Sequence, residues 1–294
     1  MITSGRVVTG SMTVNLGSIG VWHVRPYLDT KLAVELEELG YGALWLGGSP
    51  PADLAAVEEL LDATERIAVA TGIVNMWQAD PVEVARSYHR IEAKHPGRFL
   101  LGVGVGHREA TQEYEKPYDK IVSYLDALDA EGVPRHALAL AALGPKVLRL
   151  AAERTAGAHP YLTTPEHTRR AREILGYGVL LAPEQKVVVD PDPERARASA
   201  RPMVSHYLGL RNYVSNLRRL GWTDADFADG GSDALIDQLA VHGDAATVVR
   251  GVRAHLDAGA DHVCVQVLPH EGDLLAGYRA IAEAAGLIDK GVNG

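Results

Sequence analysis

One local plan recurs through this 294-residue chain and limits what it can fold into: a short, continuously apolar run closes on small or polar residues, and a helical pattern follows. Arg98-Phe-Leu-Leu-Gly-Val-Gly-Val-Gly-His107 is the clearest case, and residues 40–49, 67–75 and 139–146 repeat it. Apolar runs of that length suit strands buried on both faces of a parallel sheet. Eight are read, at residues 14–21, 43–46, 67–74, 99–105, 137–143, 157–162, 186–189 and 262–268. Helical spacing fills the intervals, as at 30–39, where Leu32, Leu36 and Leu39 share a side. Eight βα units predict an α/β fold, a closed (β/α)8 TIM barrel. Capping residues support the phasing, Asp29-Thr30 and Thr164-Pro165-Glu166 among them.

Length agrees with a single domain over 1–294, since such a barrel takes about 250 residues and tolerates insertions. The stretch from about 190 to 260 is too long for one crossover and carries three helical patterns without a strand pattern. It is expected to be a helical insertion between the last two strands. A formal charge of -9 argues against a nucleic-acid partner, which needs clustered Lys and Arg. No run approaches the roughly 18 apolar residues of a membrane span, and the first residues lack a signal-peptide core, so a cytoplasmic protein with no membrane partner is expected. Cys264, the single cysteine, lies in an apolar run and reads as a buried structural thiol.

Active sites of such barrels lie at the C-terminal strand ends, so the residues just after each run are the candidates. They are Trp22 and His23, Gly48 and Ser49, Asn75 to Trp77, Gly106 to Arg108, Gly144 to Lys146, and His159 to Tyr161. Gly102, Gly104 and Gly106 clear one face for a flat ligand or for a neighbouring backbone. Gly144-Pro145-Lys146 opens a helix directly after a strand, where unpaired amides favour an anion such as phosphate. Gly157 and Ala158 beside it would allow close backbone approach. Trp22 and Trp77 are placed to stack on a substrate ring or to pack, and Trp45, inside a strand, is read as core. His23, His107 and His159 are candidate proton-transfer groups. No carboxylate accompanies them, so no metal site is assigned.

These blocks, in this order, resemble the bacterial luciferase-like superfamily, in particular the actinobacterial oxidoreductases that use the deazaflavin coenzyme F420. The resemblance rests on Gly40-Tyr-x-x-Leu-Trp-Leu46, Ala70-Thr-Gly-Ile-Val-Asn75, Asp80-Pro81, Pro96-Gly-Arg-Phe-x-Leu-Gly-Val-Gly104, Leu143-Gly-Pro-Lys146 and Ala156-Gly-Ala-His159. It implies a cofactor lying across the strand ends, backed by a non-proline cis peptide at Gly72-Ile73. Gly48, Asn75, Val105, Gly106 and His107 would contact the ring, and Leu143, Gly144, Pro145 and Lys146 with Gly157 and Ala158 would hold the phosphate-bearing tail. Many relatives end the second strand with an acid and a histidine, whereas this chain has Gly48 and Ser49. Ser49 would need an activating partner to act as a base, so His107, His23 or His159 is expected to take the role, or the substrate differs. The implied activity is hydride transfer between F420 and a small organic substrate at a carbonyl, alcohol or activated double bond. An FMN-dependent monooxygenase and a non-catalytic deazaflavin-binding barrel are the alternatives, with a metal-dependent hydrolase behind them. The superfamily's habit of pairing through its first helices implies a homodimer.

Overall fold

The computed structural model describes residues 14–25, 27–106, 116–270 and 272–288. Among them the strands are β1 (Ile19–Val24), β2 (Ala43–Gly47), β3 (Ala68–Thr71), β4 (Val74–Asn75), β5 (Phe99–Gly104), β6 (Leu138–Leu140), β7 (Gly157–Ala158), β8 (Leu180–Leu181), β9 (Glu184–Val188), β10 (Ala240–His242) and β11 (Val263–Val267). All pairings are parallel, in the order β10-β9-β11-β1-β2-β3-β5-β6-β7-β8, with β4 also on β5. The path closes at β9, with β10 added outside the ring, because β8 and β9 are halves of one run interrupted at Ala182-Pro183. Leu181 O accepts from Asp261 N at 2.9 Å and Pro183 O from Cys264 N at 3.0 Å, while Ala182 N donates to Ala158 O at 2.9 Å. The expected eight-stranded barrel is therefore closed.

Helix starts are written locally. Five described helices begin with proline, at 81, 117, 145, 165 and 193, where the missing N–H has no intrahelical acceptor to lose. Asp29, Asp80, Thr164 and Asp192 accept amides of the first turn that follows each. The alternation of each strand then sorts its side chains. Ile19, Val21, Leu44 and Leu46 pack outward with the helices, and Trp22, Trp45, Ala70, Leu100 and Cys264 fill the barrel interior. Trp45 and Cys264 are fully buried, as the sequence predicts.

Several strand boundaries differ from the sequence reading. The first strand begins at Ile19 and runs to Val24, the sixth closes at Ala158, and the seventh begins at Leu180. The insertion does contain a strand: β10 pairs with β9, aligning Ala240 with Lys186 and His242 with Val188. Its three residues are too short to show a pattern. Helices Pro193–Leu208, Arg211–Arg219 and Asp233–Leu239 of the insertion form their own apolar cluster, which also takes in Leu143, Tyr161, Leu162 and Leu268 from the strand ends. The insertion thus sits over one side of the barrel mouth. No described helix is long and apolar enough to cross a membrane.

Candidate active site

The floor of the barrel mouth is built from Trp22, His159 and Tyr161 around Gly72. Gly47 ends β2 and Gly72 directly follows β3, and the Trp22 ring occupies the space their missing side chains leave: a Cβ on Gly47 would stand 2.2 Å from the ring, and one on Gly72 would stand 2.6 Å from Trp22 Nε1. The same point is 3.1 Å from His159 Nε2. Tyr161 packs on Trp22 at 4.9 Å between ring centroids. His159 stacks on Trp45, centroids 4.1 Å apart and 17° from parallel, and is only 2% exposed.

The hydrogen bonds fix the polarity of this floor. His159 Nδ1 lies 2.7 Å from Ala182 O, an acceptor only, so Nδ1 carries the proton and Nε2 presents a lone pair. Burial lowers the His159 pKa to about 4, which keeps the ring neutral near pH 7. Trp22 Nε1 can only donate. Both Trp22 Nε1 and His159 Nε2 are buried without a hydrogen-bond partner among the described residues. Trp22 thus keeps a donor and His159 an acceptor unused beside one glycine, a pair whose complement is an oxygen that both accepts and donates, as a hydroxyl does. Trp45, by contrast, is satisfied: its indole N–H donates to His262 Nε2 at 3.0 Å, and His262 Nδ1 donates to Gly17 O at 2.9 Å.

Behind this floor lies a buried polar group for which the sequence reading had no place. Glu184 and Lys186 point inward from β9 beside Cys264 and Gln266 of β11. Lys186 Nζ sits 3.8 Å from the centroid of the Tyr161 ring. Tyr161 Oη is 3.1 Å from both Gln266 Oε1 and Tyr207 Oη. Burial pushes the Tyr161 pKa well above its usual value. Two charges spaced two apart, Glu184 and Lys186, leading directly into Val187-Val188 were the available signal.

Other candidates fall elsewhere. His23 lies on the outer face of β1, because the strand continues past Trp22 and alternation turns the next side chain outward. It packs 4.7 Å from His270 and 5.2 Å from Tyr27, accepts at Nδ1 from Val24 N, and has its pKa lowered to about 4 by burial and by His270. His23 and His159 are therefore not brought together. His107 and Arg108 lie outside the described residues. Gly48, exposed, and Ser49, half-buried, both adopt positive φ, 81° and 55°, at the end of β2. The Gly72-Ile73 peptide bond is cis.

The glycine face of β5 is taken by the protein itself. A Cβ on Gly102 would fall 1.8 Å from Thr71 O, and one on Gly104 would fall 2.7 Å from Ala141 Cβ and 3.1 Å from Ile73 Cγ1. Close strand packing, not a cleared ligand face, explains these two glycines. Gly106, with φ 58°, leaves room for the Asn75 amide, whose Oδ1 accepts from Trp77 N at 3.0 Å. Val105 and Gly106 are half-buried at the rim. Trp77 faces helix Pro117–Ala130, with Lys120 Nζ 5.4 Å over its ring, and does not join Trp22.

Gly157 and Ala158 are built into the barrel wall. Both pair with β6 and β8, a Cβ on Gly157 would meet Leu180 O at 1.9 Å, and Ala158 packs outward into the main core, so neither lies on the rim as expected. Gly144 caps helix Pro145–Arg154, which leaves the Lys146 amide among the first-turn donors with no intrahelical acceptor. Lys146 Nζ rests 3.4 Å over the Tyr118 ring. Leu143 O accepts from His167 Nε2 at 2.9 Å, tying this loop to helix Pro165–Leu175.

Comparison with known proteins agrees with this architecture. Residues 29–130 match the luciferase-like monooxygenase family model. Over 88 residues the chain is 34% identical to 4-hydroxyprotoasukamycin monooxygenase of Streptomyces nodosus subsp. asukaensis, a match covering 26% of this chain and 23% of that relative. An F420-dependent secondary alcohol dehydrogenase, solved with an F420-acetone adduct, has the same fold with a TM-score of 0.73 and 16% identity over 92% of this chain and 99% of the other. The oxygenating constituent of 3,6-diketocamphane monooxygenase from Pseudomonas putida, solved with FMN, gives 0.61 and 16% over 93% and 97%. The segment 29–130 thus resembles a luciferase-like monooxygenase domain, and the barrel that carries it shares its fold with an F420-dependent dehydrogenase and an FMN-bound monooxygenase.

Proposed function

We propose that the protein is an oxidoreductase that uses coenzyme F420 and acts on a small organic substrate at an alcohol or carbonyl carbon. The observation that carries this reading is the unpartnered pair at the floor, the Trp22 N–H and the His159 lone pair. Oxidising an alcohol removes a hydride from carbon and a proton from oxygen, so the protein must hold that oxygen and take that proton. Trp22 Nε1 holds the oxygen, and His159 Nε2, neutral and fixed by Ala182 O, takes the proton. When bound, the deazaflavin supplies the hydride acceptor, or the donor in reverse. The residues present fit such a group: orphaned polar atoms line the floor, and a helix N-terminus at Gly144 to Lys146 suits its phosphate. His159 thus fills the role left open by Gly48 and Ser49.

An FMN-dependent monooxygenase is the second reading, favoured by the monooxygenase family model and by the curated relative. Fluorescence titration of the purified protein with F420 and, separately, with FMN distinguishes the two. Micromolar or tighter binding of F420 with F420-dependent oxidation of simple alcohols is the expected result. Preference for FMN with oxygen uptake moves the protein to the second reading, and binding of neither removes both.

A further inference from the structure

We propose that helix Arg211–Arg219 of the insertion completes an oxyanion site at the barrel mouth, in which Arg219 and Asn216 join the N-terminus of helix Pro145–Arg154 to hold a phosphoryl group. The inference rests on the cofactor reading above and assigns its anionic end to residues that lie about 70 positions further along the chain.

Three observations converge. Arg219 Nη2 lies 3.6 Å from the Cβ position of Gly144, so the guanidinium stands beside the residue that caps the helix. No carboxylate among the described residues forms an ion pair with Arg219, whereas its neighbour Arg218 pairs with Asp224 and Arg170 pairs with Glu166. Asn216, 2% exposed, turns its Oδ1 to Arg219 Nη2 at 3.5 Å, and its Nδ2 is buried without a partner. The guanidinium thus stands beside the helix N-terminus with no carboxylate to neutralise it, and the Asn216 amide that accepts from it has a donor to spare; all three groups carry positive or partial positive charge on their donors.

The backbone around the site is anchored on both sides. Arg170 Nη1 donates to Arg219 O at 2.7 Å, and His167 Nε2 donates to Leu143 O at 2.9 Å, so helix Pro165–Leu175 fastens the insertion and the Leu143 loop in register. Arg219 itself remains exposed and free to close on an anion. A phosphodiester, as in F420, and a phosphomonoester, as in FMN, share the oxygens this site would bind.

The test compares wild type with Arg219→Gln and Arg219→Lys, using F420 against its phosphate-free deazaflavin chromophore and FMN against riboflavin. Arg219→Gln is expected to weaken the phosphorylated ligand by about tenfold to a hundredfold, with the phosphate-free partner changed by less than twofold and Arg219→Lys intermediate. Which pair shows the loss identifies the phosphodiester or the phosphomonoester as the ligand. An equal effect on both members of a pair, or none on the phosphorylated one, overturns the proposal. Thermal stabilisation by inorganic phosphate gives a ring-free readout. Stabilisation of wild type that Arg219→Gln abolishes upholds the oxyanion site even where no chromophore binds, in which case only the cofactor reading fails. No discrimination in either readout overturns the site itself.

Discussion

Lys186 Nζ stands 3.1 Å from both carboxylate oxygens of Glu184, two residues back on the same strand, and neither side chain reaches solvent. Residues two apart on a strand share a face, so β9 delivers both charges into the barrel interior. Burial drives the Lys186 pKa down and the Glu184 pKa up, and each partner opposes that trend in the other.

Removing one member of this pair leaves an uncompensated charge in the barrel. Lys186→Met is expected to lower the unfolding free energy by about 3–5 kcal/mol, and the double change Lys186→Met with Glu184→Gln is expected to recover much of it. Denaturant unfolding of the two single variants and the double variant measures the coupling. Additive losses would show that the two charges do not depend on each other.

His159→Phe keeps a ring stacked on Trp45 but removes the lone pair offered at the floor. Turnover is expected to fall about a hundredfold or more, with cofactor affinity within a few-fold of wild type. Steady-state rates beside a cofactor titration test this, and unchanged turnover would take His159 out of the chemistry.

Acid should unfold this protein through its buried histidines. Burial holds His159 and His262 near 4, His255 near 3, and His23 near 4 with help from His270, whereas the unfolded chain takes protons near 6.5. Below that value the unfolded state binds more protons than the folded one, so stability present above pH 6.5 drains away as the pH falls toward 4. Unfolding free energies measured across this window should show a steady decline. A flat profile would mean that these rings are open to solvent.

Gly102→Ala places a methyl 1.8 Å from Thr71 O, while Thr71 Oγ1 already donates to Gly102 O at 2.7 Å. Two strands must separate to admit it, at about 3 kcal/mol. Gly176→Ala, where nothing lies within 4 Å of the added atom, is the comparison for glycine replacement at a positive φ alone. Thermal melts of the two variants should therefore rank Gly102→Ala well below Gly176→Ala.

The barrel could be read from periodicity because parallel strands buried on both faces leave continuous apolar runs, and the caps at Asp29, Asp80 and Thr164 bracket the helices between them. Side-chain direction was harder, since an end misplaced by a few residues reverses which face a residue occupies. With the first strand stopped at Val21, His23 counted as rim, yet a strand running to Val24 turns it outward. Gly157 and Ala158 were assigned to a ligand for a related reason, because small residues beside an expected helix start look alike whether they admit a phosphate or a neighbouring carbonyl. The inward charges Glu184 and Lys186 broke the apolar signature and shortened the seventh run. Arg219 had no local signal, because its neighbour Gly144 is distant in sequence.

The three-residue pairing of β10 with β9 also bears on how the molecule comes apart. Gln185 Nε2 donates to Leu239 O at 3.1 Å just before β10, and Gly243 N donates to Val188 O just after it. Main-chain amides of the insertion are thus shared with a wall strand of the barrel, so the segment cannot peel away while that wall stays intact. Amides of the two should exchange with deuterium as one protected block, and the insertion would behave as part of the wall instead of as a hinged cover.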